Sequence, residues 1–328
     1  MLDTILGALL PMVVTFLLGF IAAWHHGFEL KDASTLNRMV LLYAVPLSLF
    51  AGTVMTSRTT LSQDVPLVIA LCVAIIGLYG VVFLFSRIFF RMQVSTSALA
   101  ALTASAPAVP FVGPAVLGDL FGGLSAIPIA IGSLVINLTV VPVTILLIAL
   151  DSKATDPENT PVAHEGDHSA SSPRSYASVF AAKLAETVKK PIVWAPVLAF
   201  VVVLSGFRIP QLIVHSLSML GSASGGVALF ASGIVLASGK IKATWYVLFL
   251  VFLKNIVQPA LVLGGLRWFG YGNPIISEAV LTAAIPTMPI VIMLALQYRI
   301  AEAEAASAVF LSVIGSVITM GVFIAVTH

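Results

Sequence analysis

Two segments carry the sharpest chemical pattern in the chain: Pro107-Ala108-Val109-Pro110 and Pro286-Thr287-Met288-Pro289. Proline has no N–H, and its ring clashes with the carbonyl four residues back, so two prolines three apart open a helical turn. Gly113-Pro114 is expected to extend the first opening. A helix that restarts after such a break exposes unpaired N–H groups and about half a positive elementary charge at its new N-terminus. That end favours an anion such as a carboxylate. Ser105 stands just before the first break, and Thr287 lies inside the second.

Lys254 lies deep within an apolar run, with Gln258 and Pro259 one turn on. An ionisable residue at such a depth is a functional candidate, against the alternative of a lysine that snorkels or donates to carbonyls. Asn137 is the main amide inside another apolar run, able to donate to a ligand oxygen or to bond a neighbouring helix. Gly221-Ser222-Ala223-Ser224-Gly225-Gly226 permits close helix approach, or leaves backbone exposed beside a break. Pro46 occupies the position corresponding to Gly226, so both of their helices are expected to bend near the breaks. No metal site is expected, because His164, Asp167 and His168 read as a solvated linker. HExxH, GxGxxG and Walker sequences are missing, which argues against the common hydrolases and nucleotide-driven machines.

The elements that must position these residues follow from composition. Of 328 residues, 59% are hydrophobic and 9% charged, with 16 basic against 14 acidic. A soluble domain carries about 25% charged residues. The balance excludes an ordinary globular enzyme, a disordered chain and a nucleic-acid binder. A helix crosses the hydrocarbon core with about 20 apolar residues. Ten such stretches are read at 4–24, 36–57, 66–87, 96–121, 124–150, 191–207, 211–238, 244–268, 275–298 and 303–326. A barrel would instead show alternating strands. The expected fold is an all-α integral membrane protein in three parts: 1–150, a flexible loop at 151–188, and 189–328.

With the N-terminus outside, twelve of the 16 basic residues fall in inside loops, and only Arg58, Arg208 and Arg267 outside. Lysine and arginine favour the cytoplasmic side. Both termini are therefore expected outside, the central loop in the cytosol, and the protein in the cell (inner) membrane.

The halves repeat. LTASAPAVPFV at 102–112 matches LTAAIPTMPIV at 281–291 at six of eleven positions, offset by 179. An offset of 180 aligns Pro11 with Pro191, and Leu49-Phe50-Ala51 with Leu229-Phe230-Ala231. Five spans per half is odd, so the second half must be inserted upside down. Paired interruptions in corresponding helices of inverted repeats point to a transport site. Asp64, Asp119 and Glu278 fall at outer ends, and Glu302 and Glu304 at an inner end, so no midplane carboxylate pair argues for proton or sodium antiport.

The chain resembles the auxin efflux carrier family. The resemblance rests on LNRMVLLYAVPLSLF at 36–50, FVGPAVLGDLFG at 111–122, GSASGGVALFASGIVLA at 221–237, KNIVQPALV at 254–262 and AAIPTMPIVIMLALQY at 283–298. It implies ten helices in two inverted repeats, helices four and nine crossing at their prolines, and a substrate carboxylate beside the crossing. Pro107 or Pro110 and Pro286 would mark that crossing, with Asn137 a polar contact. It also implies a scaffold part, a part that moves against it in an elevator-like motion, and often a homodimer. Where the family often has asparagine, this chain has Ser105-Ala106 before the first break and Ile290 after the second. Bacterial relatives resemble malonate and malate carriers, so a small dicarboxylate is the first expectation. A sodium-coupled carrier of the bile-acid type and a membrane sensor are the alternatives. No cofactor is expected, and a coupling proton or sodium ion stays open.

Overall fold

The computed structural model describes residues 2–55, 65–152, 191–207, 209–238 and 242–327. The expected central loop beyond Ser152, with His164, Asp167 and His168, lies outside the described residues, as do Arg58 and Arg208. Among the described residues twelve α-helical segments follow in order, with a 3-10 turn (Gly122–Ser125) between the fifth and sixth. They are α1 (Leu2–Trp24), α2 (Leu30–Val54), α3 (Val65–Ile88), α4 (Val94–Ser105), α5 (Val109–Phe121) and α6 (Ile127–Asp151). Then come α7 (Pro191–Ser205), α8 (Gln211–Ser238), α9 (Trp245–Trp268), α10 (Ile275–Ala284), α11 (Ile290–Tyr298) and α12 (Glu302–Thr327).

Among the described residues, six helices are each long and apolar enough to cross a membrane: α2, α3, α6, α8, α9 and α12. The expected fourth and ninth spans are each divided in two, α4 with α5 and α10 with α11, which is what the paired prolines predict. The expected extension of the first break through Gly113-Pro114 does not occur. Helix α5 resumes at Val109 and runs through both residues. Pro110 sits in its first turn, where the missing N–H has no helical partner to lose.

Four helices contain a π-helical turn: Val40–Ala44, Val73–Gly77, Ile136–Val140 and Leu253–Val257. Three of them end two residues before a proline, at Pro46, Pro142 and Pro259. A proline cannot donate to the carbonyl four residues back, and the widened turn absorbs the vacancy. Gly226, which aligns with Pro46, lies in a helix that runs as regular α from Gln211 to Ser238.

The broken helices are the core. Residues of α10 from Ile276 to Ala284, and of α11 from Ile290 to Leu296, are all buried. The outer faces of α3 and α9 expose Ile69, Val73, Val81, Leu84, Phe252 and Leu261. Such apolar faces are out of place in water and natural in lipid. Trp24, Trp245 and Trp268 stand exposed at helix ends, where an interfacial belt places them. Among α1, α2 and α8 the contacts are made by glycine. A Cβ on Gly19 would stand 2.0 Å from the Phe230 carbonyl oxygen, one on Gly233 2.1 Å from that of Phe16, and one on Gly221 2.8 Å from the Ser48 backbone. Small residues let membrane helices approach this closely.

Candidate functional site

The two breaks meet. Ala108 N–H donates to the Pro286 carbonyl at 2.8 Å, and Met288 N–H donates to the Ala106 carbonyl at 3.0 Å. The result is one antiparallel bridge centred on Pro107 and Thr287. The sequence alignment pairs Pro107 with Pro286, one position off. The shift has a reason. Pro107 takes a place where the bridge asks for no N–H, and Pro286 contributes only its carbonyl. Thr287 keeps an N–H, which donates to Ser312 Oγ at 2.9 Å, while its Oγ1 donates to the Thr103 carbonyl at 2.9 Å.

Helix α9 braces both breaks. Lys254, fully buried, donates from Nζ to the Ala283 and Ile285 carbonyls, each at 2.7 Å. Gln258 Nε2, one turn on, donates to the Ser105 carbonyl at 2.9 Å and to the Ala74 carbonyl at 3.2 Å. Asn255 holds Ser312 from the same helix, accepting from Ser312 Oγ at 2.7 Å and donating to its carbonyl at 2.8 Å. A cation and amide donors at the carbonyl ends of α4 and α10 complement the negative end of each helix dipole. Freed carbonyls buried among apolar helices need such partners, because apolar surroundings offer none.

Beside the bridge lies a cavity of about 620 Å³ between α1, α2, α5, α6 and α8. Pro110 and Phe111 at the start of α5 and Pro289 at the start of α11 form part of its wall. Its polar lining is Thr15, Ser48, Ser133, Ser218 and Ser222, with Gly225 and Gly226 exposing backbone. A cleft of about 30 Å³ is lined by Asn137, Ser133, Ser224, Met288 and Ile290, and it shares Ser48, Gly52, Pro110, Phe111 and Ser133 with the cavity. Asn137 lies in the Ile136–Val140 π turn, is 1% exposed, and its Oδ1 has no hydrogen-bond partner.

Of the candidates from sequence, Pro110, Pro289, Asn137, Ser224, Gly225 and Gly226 border the cavity or its cleft. Ser105, Pro107, Pro286, Thr287 and Lys254 build the bridge beside it. Gly113 instead packs α5 on α6, where an added Cβ would stand 3.1 Å from Ile129 Cγ1. Pro46 is buried below its π turn. Ser222 falls inside the Gly221–Gly226 stretch singled out from sequence, whereas Ser133 is not among the sequence candidates, although it precedes Asn137 by one helical turn. Phe111 and the Thr103–Thr287 bond had no signal, since both depend on the crossing.

Among the described residues the architecture is all-helical, with broken central helices and a cavity at the N-terminal ends of α5 and α11, an arrangement suited to a membrane transport protein. The family described as "Membrane transport protein" matches residues 4–324, and the chain belongs to it, the auxin efflux carrier family that its sequence resembles. The chain is similar to "Uncharacterized transporter YfdV" of Escherichia coli (strain K12), 29% identical over 331 residues, covering 100% of this chain and 99% of the relative. The proteins of that name from Escherichia coli O157:H7 and Shigella flexneri match to the same extent.

Proposed function

We propose that the protein is a secondary carrier of a small organic anion, a carboxylate, built from two oppositely inserted five-span repeats that cross at mid-membrane. The observation that carries this is the pair of reciprocal hydrogen bonds between Ala106–Ala108 and Pro286–Met288. Exchanging each residue with the one 180 positions away converts one bond into the other. The π turns at Val73–Gly77 and Leu253–Val257 are also 180 positions apart. Both α5 and α11 begin at the cavity wall, so their N-terminal dipoles converge on whatever occupies it.

The glycine contacts fasten α1, α2 and α8 together as a scaffold, with α7 packed on α2. Hydrogen bonds such as Thr144–Tyr79, Ser86–Tyr246 and Gln258–Ser105 tie the remaining helices into a second body. The cavity lies between the two, as alternating access by an elevator-like slide requires. In the cell membrane, with both termini outside, it opens outward, because Met55 and Ser218 lie toward the outer ends of their helices.

Lys254 favours this reading over sodium coupling at the crossing. Its ammonium occupies the Ala283 and Ile285 carbonyls that a cation there would need. The test is uptake or exchange of labelled carboxylates by reconstituted vesicles, with and without sodium. Transport above empty vesicles, unchanged by sodium and weakened in Lys254→Ala, is expected. Rates equal to empty vesicles across a broad carboxylate panel would end the carrier reading.

A further inference from the structure

We propose that the seam between α3 and α9, which shares no lining residue with the cavity, holds an anionic phospholipid of the cytoplasmic leaflet. The groove there has a volume of about 700 Å³ and follows α3 from Pro66 to Phe85 and α9 from Phe249 to Phe269. Small residues hollow it. A Cβ on Gly265 would meet nothing within 4 Å, and one on Gly77 only Val73 Cγ1 at 4.0 Å. The π turns Val73–Gly77 and Leu253–Val257 both border it. Of its lining only Gln258 and Tyr271 have polar side chains, and none is charged.

The dimensions choose the kind of occupant. The groove runs about 28 Å along α3, close to the hydrocarbon thickness of about 30 Å. Its volume spread over that length leaves a mean section of about 25 Å², roughly 6 Å across. A helix with its side chains is about 10–12 Å across, so the groove seats no helix, whether from a second copy of this chain or from another protein. A hydrocarbon chain is narrow enough to lie in it.

The head is chosen at one end. In a bilayer, apolar contact selects no lipid, because the tails are as apolar as leucine. Phe85 and Phe249 line the end of the groove near the α3–α4 turn, and Arg87 and Arg91 stand two and six residues beyond Phe85. Both arginines are exposed, and no described carboxylate is ion-paired with either. Arg87 donates to the Met92 carbonyl, which ties its guanidinium to the turn that carries Arg91 and leaves it further N–H groups for a phosphate. The proposed orientation puts this end in the cytoplasmic leaflet, where basic residues between helices meet anionic lipid heads. Among the described residues the opposite end has a single arginine, Arg267, which donates to the Val326 carbonyl. A zwitterionic head would bring an ammonium group against the arginine pair; phosphatidylglycerol brings none.

The test is native mass spectrometry and thermal stabilisation of the purified full chain with added phosphatidylglycerol or phosphatidylethanolamine of identical acyl chains. Phosphatidylglycerol is expected to act at about 25-fold lower concentration, about fivefold for each arginine near an anionic head. Replacing both arginines, Arg87→Gln with Arg91→Gln, should bring the ratio to about one. Arg267→Gln should leave it unchanged. Gly77→Leu, whose side chain enters the groove without meeting backbone, should at least halve the retained phosphatidylglycerol. Should that variant not fold, glycerol 1-phosphate in large excess takes its place and is expected not to displace the lipid. Equal action of the two lipids overturns the proposal, as does a preference that survives loss of both arginines or is lost in Arg267→Gln. Full retention in Gly77→Leu, or displacement by glycerol 1-phosphate, overturns the groove as the seat of the chain. A second copy or another polypeptide held on the lipid-free protein and released by Gly77→Leu overturns the lipid as its occupant. None of these results bears on vesicle uptake, which decides the carrier reading separately.

Discussion

Lys254 and Gln258 stand one turn apart on α9 and close opposite breaks, Lys254 the carbonyl end of α10 and Gln258 that of α4. One helix thus holds both interrupted spans in register. Each donor replaces what a continuous helix would have provided.

Lys254→Met is expected to lower stability by about 2–4 kcal/mol, because it strands two buried carbonyls that each cost about 1–3 kcal/mol unpaired, with partial relaxation. Unfolding in detergent measures it. Gln258→Leu, which strands chiefly the Ser105 carbonyl, should cost about half as much. A Lys254→Met variant as stable as the parent would show that the ammonium does not brace the break.

Gly225 should be intolerant of any side chain for a reason confined to one ring. A Cβ there would stand 2.6 Å from Phe111 Cδ1. Gly225→Ala is expected to displace Phe111 from the cavity wall and reduce uptake about tenfold or more, since small misplacements beside a binding site carry large penalties. Adding Phe111→Leu should restore much of the rate. Failure of the second change to rescue the first would place the defect elsewhere.

Gly19→Ala tests the scaffold. The new methyl would press on the Phe230 carbonyl, which is backbone and cannot swing aside. Overpacking costs about 1–3 kcal/mol even where side chains can adjust. The loss here is expected at or above the top of that range, read as a fall in thermal midpoint. Gly7→Ala on the same helix meets nothing within 4 Å and should leave the midpoint near that of the parent.

The pair Lys242 Nζ to Glu304 Oε1, 2.8 Å apart, should matter little, since both side chains are partly exposed. Exposed pairs contribute about 0–1 kcal/mol and fade with salt. Glu304→Gln is expected to change stability by less than about 1 kcal/mol, and by less still in high salt.

The proline pattern made the breaks legible, because a missing N–H acts locally and leaves its mark wherever a helix continues. Pro46, Pro142 and Pro259 each sit two residues past a π turn for the same local reason. The partner of each break was not legible to the residue. Matching letters set Pro107 against Pro286, whereas backbone pairing sets it against Thr287, since register across a bridge is fixed by which N–H groups remain. The role of Lys254 was divided between ligand contact and carbonyl donor. Depth in an apolar run says that a charge needs a partner and does not say which. Ser312, Asn255 and Thr103 gave no warning, because isolated polar residues in helices acquire meaning only from what another helix brings to them.

The bridge also orders biosynthesis. The Ala106 carbonyl is capped by Met288, the Ser105 carbonyl by Gln258 and the Thr103 carbonyl by Thr287, all of which leave the ribosome long after the residues they cap. Until then these three acceptors lack the donors that close them in the finished fold. Contacts so distant along the chain form late. The break after α4 therefore waits, open, for the one between α10 and α11, and a fragment made without the second half would keep that opening for good.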